Sequence, residues 1–213
     1  ACFRGCALLS SIQFSSAKTI GSYAFENCKK VAKFNFAGVE VVKTHAFDGT
    51  TISSVSSDTI TTLEPYAFNN CWNLTSITLN GLESVDFAMF EGASYVKNFT
   101  FNKATELIVP EGGIVKVCDN ISSFTAPLLT ALPDNTFNGC LELKTCATEK
   151  LSTVGENAFC STAITTLNFS NLSEIGAGAF SNMKQLEDAR SSTVHGTKLG
   201  LDISKYFVDM MGG

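Results

Sequence analysis

Eight cysteines and two histidines are the side chains of this 213-residue chain best suited to nucleophilic or metal chemistry. A thiolate attacks electrophiles and Cys/His sets hold zinc, but both uses need partners at short range. The cysteines are Cys2, Cys6, Cys28, Cys71, Cys118, Cys140, Cys146 and Cys160. They form no Cys-x-x-Cys pair, and His45 and His195 stand far apart in the chain, so zinc-ligand spacing is missing. Neither histidine has a matched Ser or Cys nucleophile that the sequence places beside it. Carboxylates are scattered, no pair recurs on one face, and no glycine-rich phosphate loop is present. This inventory predicts no enzyme activity, no metal and no cofactor.

Five of the cysteines do share a spacing. Cys6, Cys28, Cys71, Cys118 and Cys140 each stand three residues after Phe3, Phe25, Phe68, Val115 and Phe137 respectively. Thr50, Ala93, Thr162 and Met183 fill the same slot elsewhere. A position that accepts Cys, Ala, Thr or Met is a small or flexible buried slot, where a free Cys acts as a compact hydrophobe. The competing readings are a metal site or a disulfide between stacked neighbours, Cys6 with Cys28 or Cys118 with Cys140.

That slot belongs to a repeat. Ile20-Gly21-Ser22-Tyr23-Ala24-Phe25-Glu26-Asn27-Cys28 returns as Val154-Gly155-Glu156-Asn157-Ala158-Phe159 and Ile175-Gly176-Ala177-Gly178-Ala179-Phe180. The anchors are Phe3, Phe25, Phe47, Phe68, Phe90, Val115, Phe137, Phe159 and Phe180. Their period of about 22 residues marks a solenoid. Apolar residues recur at +3, +6, +9, +11, +14 and +17 from the anchor, as in Phe68, Cys71, Leu74, Ile77, Leu79, Leu82 and Val85. Steps of three suit a short helical or 3₁₀ turn, and the step of two from +9 to +11 is strand alternation. Nine such units, unable to bury their apolar faces alone, must stack their strands into one parallel sheet. The predicted fold class is an α/β repeat solenoid. The third and eighth units shorten the link, placing Ile52 and Ile164 at +5.

Composition supports this. A hydrophobic fraction of 45% and a charged fraction of 16% exclude a disordered chain. A net charge of −5 with 15 Lys and Arg offers no footprint for nucleic acid or an anionic membrane. No apolar run reaches the roughly 18 residues that span a bilayer. No cleavable signal peptide is read, since Ala1 already lies inside a repeat, and the chain reads as part of a longer one. The solenoid is expected over residues 1–190. Pro110-Glu111-Gly112-Gly113 reads as a loop insertion before Val115. Residues 191–213 form either a cap or a disordered tail. Ile203, Phe207, Met210 and Met211 stand there at helical spacing behind Asp202.

The pattern resembles the BspA-like, or Treponema pallidum-type, leucine-rich repeats, over about residues 1–190. Ala67-Phe68-Asn69-Asn70-Cys71 followed by Leu74-Thr75-Ser76-Ile77-Thr78-Leu79 is closest to that consensus. The family's usual Pro after the strand is missing except at Pro127. The resemblance implies a right-handed array with the sheet on the concave side and short helical or 3₁₀ turns on the other. It also implies a secreted or cell-surface protein of a host-associated organism that binds a host matrix or surface protein, and brings no catalytic residues.

In such an array the residues between the buried strand positions face outward on the concave side. Here they include Ser76, Thr78, Asn80, Asn98, Thr100, Asn102, Ser123, Thr125, Thr145, Thr166 and Asn168, the candidate binding residues. Over all nine units, 18 of 27 such positions are Ser, Thr or Asn and five are charged. Two readings follow: a non-catalytic adhesion module whose flat polar face binds a protein or glycan, or a structural spacer with no ligand. The only Trp, Trp72, is expected beside the helical turn and partly buried. Five Asn-x-Ser/Thr sequons occur, at Asn73, Asn98, Asn120, Asn168 and Asn171.

Overall fold

The computed structural model describes residues 1–183, apart from Ser15, Val115, Lys116, Asn168 and Ser170. Its strands in chain order begin with β1 (Thr19–Ile20), β2 (Val41–Val42), β3 (Ser54–Ser57), β4 (Thr62–Leu63), β5 (Ser76–Leu79) and β6 (Ser84–Asp86). They continue with β7 (Asn98–Thr100), β8 (Glu106–Ile108), β9 (Ser123–Thr125), β10 (Ala131–Leu132), β11 (Thr145–Ala147), β12 (Thr153–Val154) and β13 (Glu174–Ile175). All pairings are parallel, and successive turns of chain stack into a solenoid of about seven turns with almost no helix.

The expected strand forms where Thr, Ser and Asn alternate with Val, Ile and Phe. β3, β5, β7, β9 and β11 pair in that order into a five-stranded sheet. Their registers are whole repeats: Val55 lies beside Ile77, Ile77 beside Phe99, and Phe99 beside Phe124. Each of these apolar residues is buried, so a one-residue slip would turn the core row to solvent. Nine strands are expected in this sheet and five form among the described residues, which exclude the ninth. In the second repeat the Asn35 side chain accepts from the Ala37 backbone N–H at 3.0 Å, a local bond that competes with a ladder.

A second row of short strands was not read from the sequence. The apolar residue at +17, or at +16 in the shortened third and eighth repeats, lies on β1, β2, β4, β6, β8, β10, β12 or β13. These strands form the separate ladders β1-β2-β4, β6-β8 and β10-β12-β13. Each turn of the solenoid therefore has two parallel edges joined by the anchor segment.

The helical turn expected at the anchor is replaced by consecutive β-turns. The one helical segment whose whole length is described is the 3₁₀ turn Phe87–Phe90, capped by the Asp86 side chain; a second 3₁₀ turn includes Ile114. The cause lies in the backbone at −2 and +2. Tyr23, His45, Tyr66, Asn135, Asn157 and Gly178 at −2 have φ between 52° and 64°. Gly5, Asn27, Gly49, Asn70, Gly92, Gly139, Ser161 and Asn182 at +2 are also left-handed. Two left-handed residues four apart leave no room for a right-handed helix. The freed N–H groups turn to the next coil instead, as in Phe25 N to Ala46 O at 2.7 Å and Asn27 N to Asp48 O at 2.7 Å. The Asn and Gly at +2 are thus the signal of a turn.

Inside, the anchors stack. Phe3, Phe25, Phe47 and Phe68 run with ring centroids 5.2–5.6 Å apart, and Phe137, Phe159 and Phe180 at 5.5 Å. Ala24, Ala46, Ala67, Ala158 and Ala179 before the anchors are buried, and the carbonyls of all five accept the inter-coil bond. The sixth anchor is Ile114 rather than Val115. Ile114 is fully buried, and its N–H donates to Thr136 O at 2.9 Å, the bond Phe25 makes to Ala46. Val115 itself lies outside the described residues, as do the proposed cap around Asp202–Met211 and all of 184–213. Ile52 and Ile164 are buried as the shortened links require.

Candidate functional site

The outward face of the five-stranded sheet carries three rows of polar side chains. The parallel registers align Ser54, Ser76, Asn98, Ser123 and Thr145 in one row. They align Ser56, Thr78, Thr100, Thr125 and Ala147 in the next. Asp58, Asn80 and Asn102 follow the strand ends as a third. Nine of the eleven sequence-derived candidates therefore come together. Thr166 is exposed but lies on no strand, and Asn168 is outside the described residues.

The rows differ in how their hydrogen-bonding capacity is used. Asn98 is a hub: its Oδ1 accepts from Ser123 Oγ at 2.8 Å and from Ser122 Oγ at 3.3 Å, and its Nδ2 donates to Thr75 O at 3.4 Å. Ser122 was not among the candidates, because only proximity across strands gives it a role. In the third row Asn80 Nδ2 donates to Asp58 Oδ1 at 2.7 Å, and Asn102 N–H donates to Asn80 Oδ1 at 3.3 Å. The Thr78, Thr100 and Thr125 hydroxyls, all half-buried, make no side-chain hydrogen bond to any described residue. This middle row holds donors and acceptors free for a ligand. Beyond β3 the surface continues over the first two repeats as an open depression lined by Ser11, Gln13, Phe14, Lys33, Phe34 and Asn35. Phe14 there is 41% exposed.

None of the eight cysteines is joined in a disulfide. Cys28, Cys71, Cys118 and Cys140 are buried as the slot predicts, whereas Cys6 in the first coil is exposed. Cys28 Sγ donates to Phe3 O at 3.0 Å and Cys71 Sγ to Phe47 O at 3.1 Å, so the thiol ties one coil to the one before. Burial pushes the Cys71 thiol up to about 11 and those of Cys118 and Cys146 up to about 12. At Cys160 burial acts upward, but hydrogen bonds from Ser181, Ser161 and Asn182 outweigh it and hold the thiol below its usual value. Alkylation at neutral pH followed by peptide mass mapping is expected to label exposed Cys2 and Cys6 first, with Cys71 and Cys118 last. Early labelling of Cys71 would contradict the buried slot. The unfolded chain releases its thiol protons near 9.0, whereas the folded chain keeps these three to about 11 or 12. Stability is therefore full below pH 9 and falls as pH rises toward 12, which denaturant melts across that window would register.

Among the described residues no three His, Cys, Asp or Glu side chains gather where they could hold a metal ion. No described helix is long and apolar enough to cross a membrane. Trp72, expected to be partly buried, is 69% exposed in the anchor turn of the fourth repeat, away from the polar rows.

The family model for the BspA type leucine rich repeat region matches in six copies, over residues 1–112 and 113–196. No curated protein matches the chain. A crystal structure of a leucine rich cell surface protein from Faecalibacterium prausnitzii A2-165 is similar, with 24% identity and a TM-score of 0.52. The match covers 69% of this chain and 41% of that one, so this chain spans less than half of that protein's length. A leucine-rich repeat protein from Bacteroides ovatus ATCC 8483 aligns at 16% identity and a TM-score of 0.34, over 85% of this chain and 66% of that one.

Proposed function

The chain belongs to the BspA type leucine-rich repeat family, and from that membership we propose that it is a non-catalytic binding module displayed at a cell surface or secreted. Its reading face is the concave side of the array, and its partner is a protein of the host matrix or surface, with an extended glycan as the second choice. One observation carries this reading: the Thr78–Thr100–Thr125 row, whose hydroxyls no described neighbour uses, runs across the centre of the sheet. In the flanking rows Asn98 bonds Ser123 and Asn80 bonds Asp58, so the middle threonine hydroxyls are among the groups left available to a ligand. Candidate contacts are Ser76, Thr78, Asn80, Asn98, Thr100, Asn102, Ser123, Thr125 and Thr145, extended by Thr166 and Asn168 in the eighth repeat. We read the array as right-handed, of about nine repeats over residues 1–190, with 191–213 a cap or tail. The neutral, Tyr-poor face suits a broad interaction of moderate strength rather than a tight hot spot. The cell-surface protein from Faecalibacterium supports the location by analogy of fold.

Incubating the purified chain with intact host cells and with immobilised matrix proteins tests this. Saturable binding to one of them is expected. Uniform, non-saturable retention on every surface would leave the chain a structural spacer, a section of stalk with no ligand.

A further inference from the structure

A second surface lies in the anchor turns, apart from the polar rows of the sheet. Tyr23, His45 and Tyr66 occupy the −2 position of three successive repeats and stack face to face. Ring centroids are 5.1 Å apart for Tyr23–His45 and 5.4 Å for His45–Tyr66, with interplanar angles of 7° and 6°. Both tyrosines remain more than a third exposed, at 36% and 37%. The +1 positions three residues further on form a parallel acidic line of Glu26, Asp48 and Glu91, with Asn69 between.

The chain itself places a guanidinium on these two lines. Arg4 lies over the Tyr23 ring at 5.3 Å and pairs with both Glu26 oxygens, Nε to Oε2 at 2.5 Å and Nη2 to Oε1 at 3.2 Å. At the other end the stack stops, because the next −2 residue is Ala88, with only a methyl group. Glu91, exposed, stands at the Tyr66 hydroxyl and raises its pKa by accepting its hydrogen bond. Tyr66 with Glu91 thus sets an exposed ring beside a carboxylate without an arginine of its own, the carboxylate coming from the following coil where Glu26 belongs to Tyr23's own. The aromatic choice is also costly. All three residues have left-handed φ of 53° to 63°, where the later repeats use Asn135, Asn157 and Gly178, and such a conformation at a bulky residue costs on the order of 1 kcal/mol or more.

We propose that the Tyr66 ring and the Glu91 carboxylate form a docking site for an arginine side chain presented by a protein partner. The guanidinium stacks on the open ring face and pairs with the carboxylate, as Arg4 does at the opposite end. Asp48 does not compete for it, since its carboxylate is engaged by His45 Nδ1 at 2.8 Å and by the Asn69 and Asn70 amides at 3.0 and 3.1 Å. The site is independent of the sheet-face reading.

The test is an NMR titration of the whole chain with the capped peptide Gly-Arg-Gly and with its citrulline analogue, which keeps the shape and loses the charge. Saturable shifts of the Tyr66 ring protons are expected with the arginine peptide and not with citrulline. Glu91→Gln should weaken binding about threefold, the scale of an exposed ion pair. Tyr66→Phe, which keeps the ring face, should bind within about twofold of the parent, as a cation–ring contact requires. Equal shifts from both peptides, unchanged affinity in Glu91→Gln, or loss of binding in Tyr66→Phe would each overturn the proposal. Glu91 is exposed, so its substitution leaves the fold intact for the comparison.

Discussion

Phe159→Ala and Phe25→Ala are each expected to lose about 3–5 kcal/mol of stability, the range of buried aromatic truncations. Both rings are essentially fully buried and both sit inside a stack, Phe159 between Phe137 and Phe180, and Phe25 between Phe3 and Phe47. Removing one ring leaves a cavity in a stack whose backbones are tied from coil to coil by hydrogen bonds. Phe137 N donates to Ala158 O at 2.7 Å, and Phe159 N to Ala179 O at 2.8 Å. The loss is also not local. In a solenoid each coil is held chiefly by its neighbours, so weakening one interface uncouples the segments on either side. A reversible denaturant melt of either variant losing less than 1 kcal/mol would show that the stack is not the core.

The motif glycine gives the second large effect. At Gly176 an added methyl group would meet Glu156 N at 2.4 Å, Gly155 C at 2.6 Å and Glu156 Cα at 2.7 Å. At Gly155 it would meet Asp134 N at 2.5 Å and Pro133 C at 2.6 Å. All of these are backbone atoms of the preceding coil, which can yield only if the coils separate. Gly155→Ala and Gly176→Ala should therefore cost about 1–3 kcal/mol or more each, as overpacking does. If either variant melted like the parent chain, close coil approach would not be the reason for the glycine.

The strand positions were legible because period-two burial follows directly from the pleat: Ile77 and Leu79 are buried, and Ser76 and Thr78 between and before them are not. The anchor turn was not legible as a turn, because steps of three fit a helical turn and successive β-turns equally. The deciding feature is backbone φ at −2, and Tyr23, His45 and Tyr66 hide it, since aromatic residues rarely adopt that conformation. Ile114 and Val115 are adjacent and equally apolar, so periodicity could not choose between them. The candidate site was legible as a list but not as a network. That Asn98 gathers Ser122 and Ser123 while Thr78, Thr100 and Thr125 stay unpaired depends on cross-strand distances that no single repeat encodes. The stack of Tyr23, His45 and Tyr66 escaped for the same reason, being two residue types at one recurring position, with Arg4 added from another.

The central claim is that the anchor motifs build the scaffold and the middle row of the sheet reads the partner. It is tested most directly by the affinity of one triple variant, Thr78→Glu, Thr100→Glu and Thr125→Glu, for whichever cell surface or matrix protein the parent chain binds, alongside Trp72→Ala. The triple variant is expected to unfold cooperatively, at a midpoint lowered by repulsion between carboxylates on adjacent strands, yet to lose at least tenfold in affinity, while Trp72→Ala binds normally. Unchanged binding by the triple variant together with lost binding by Trp72→Ala would move the recognition surface to the anchor turns and contradict it.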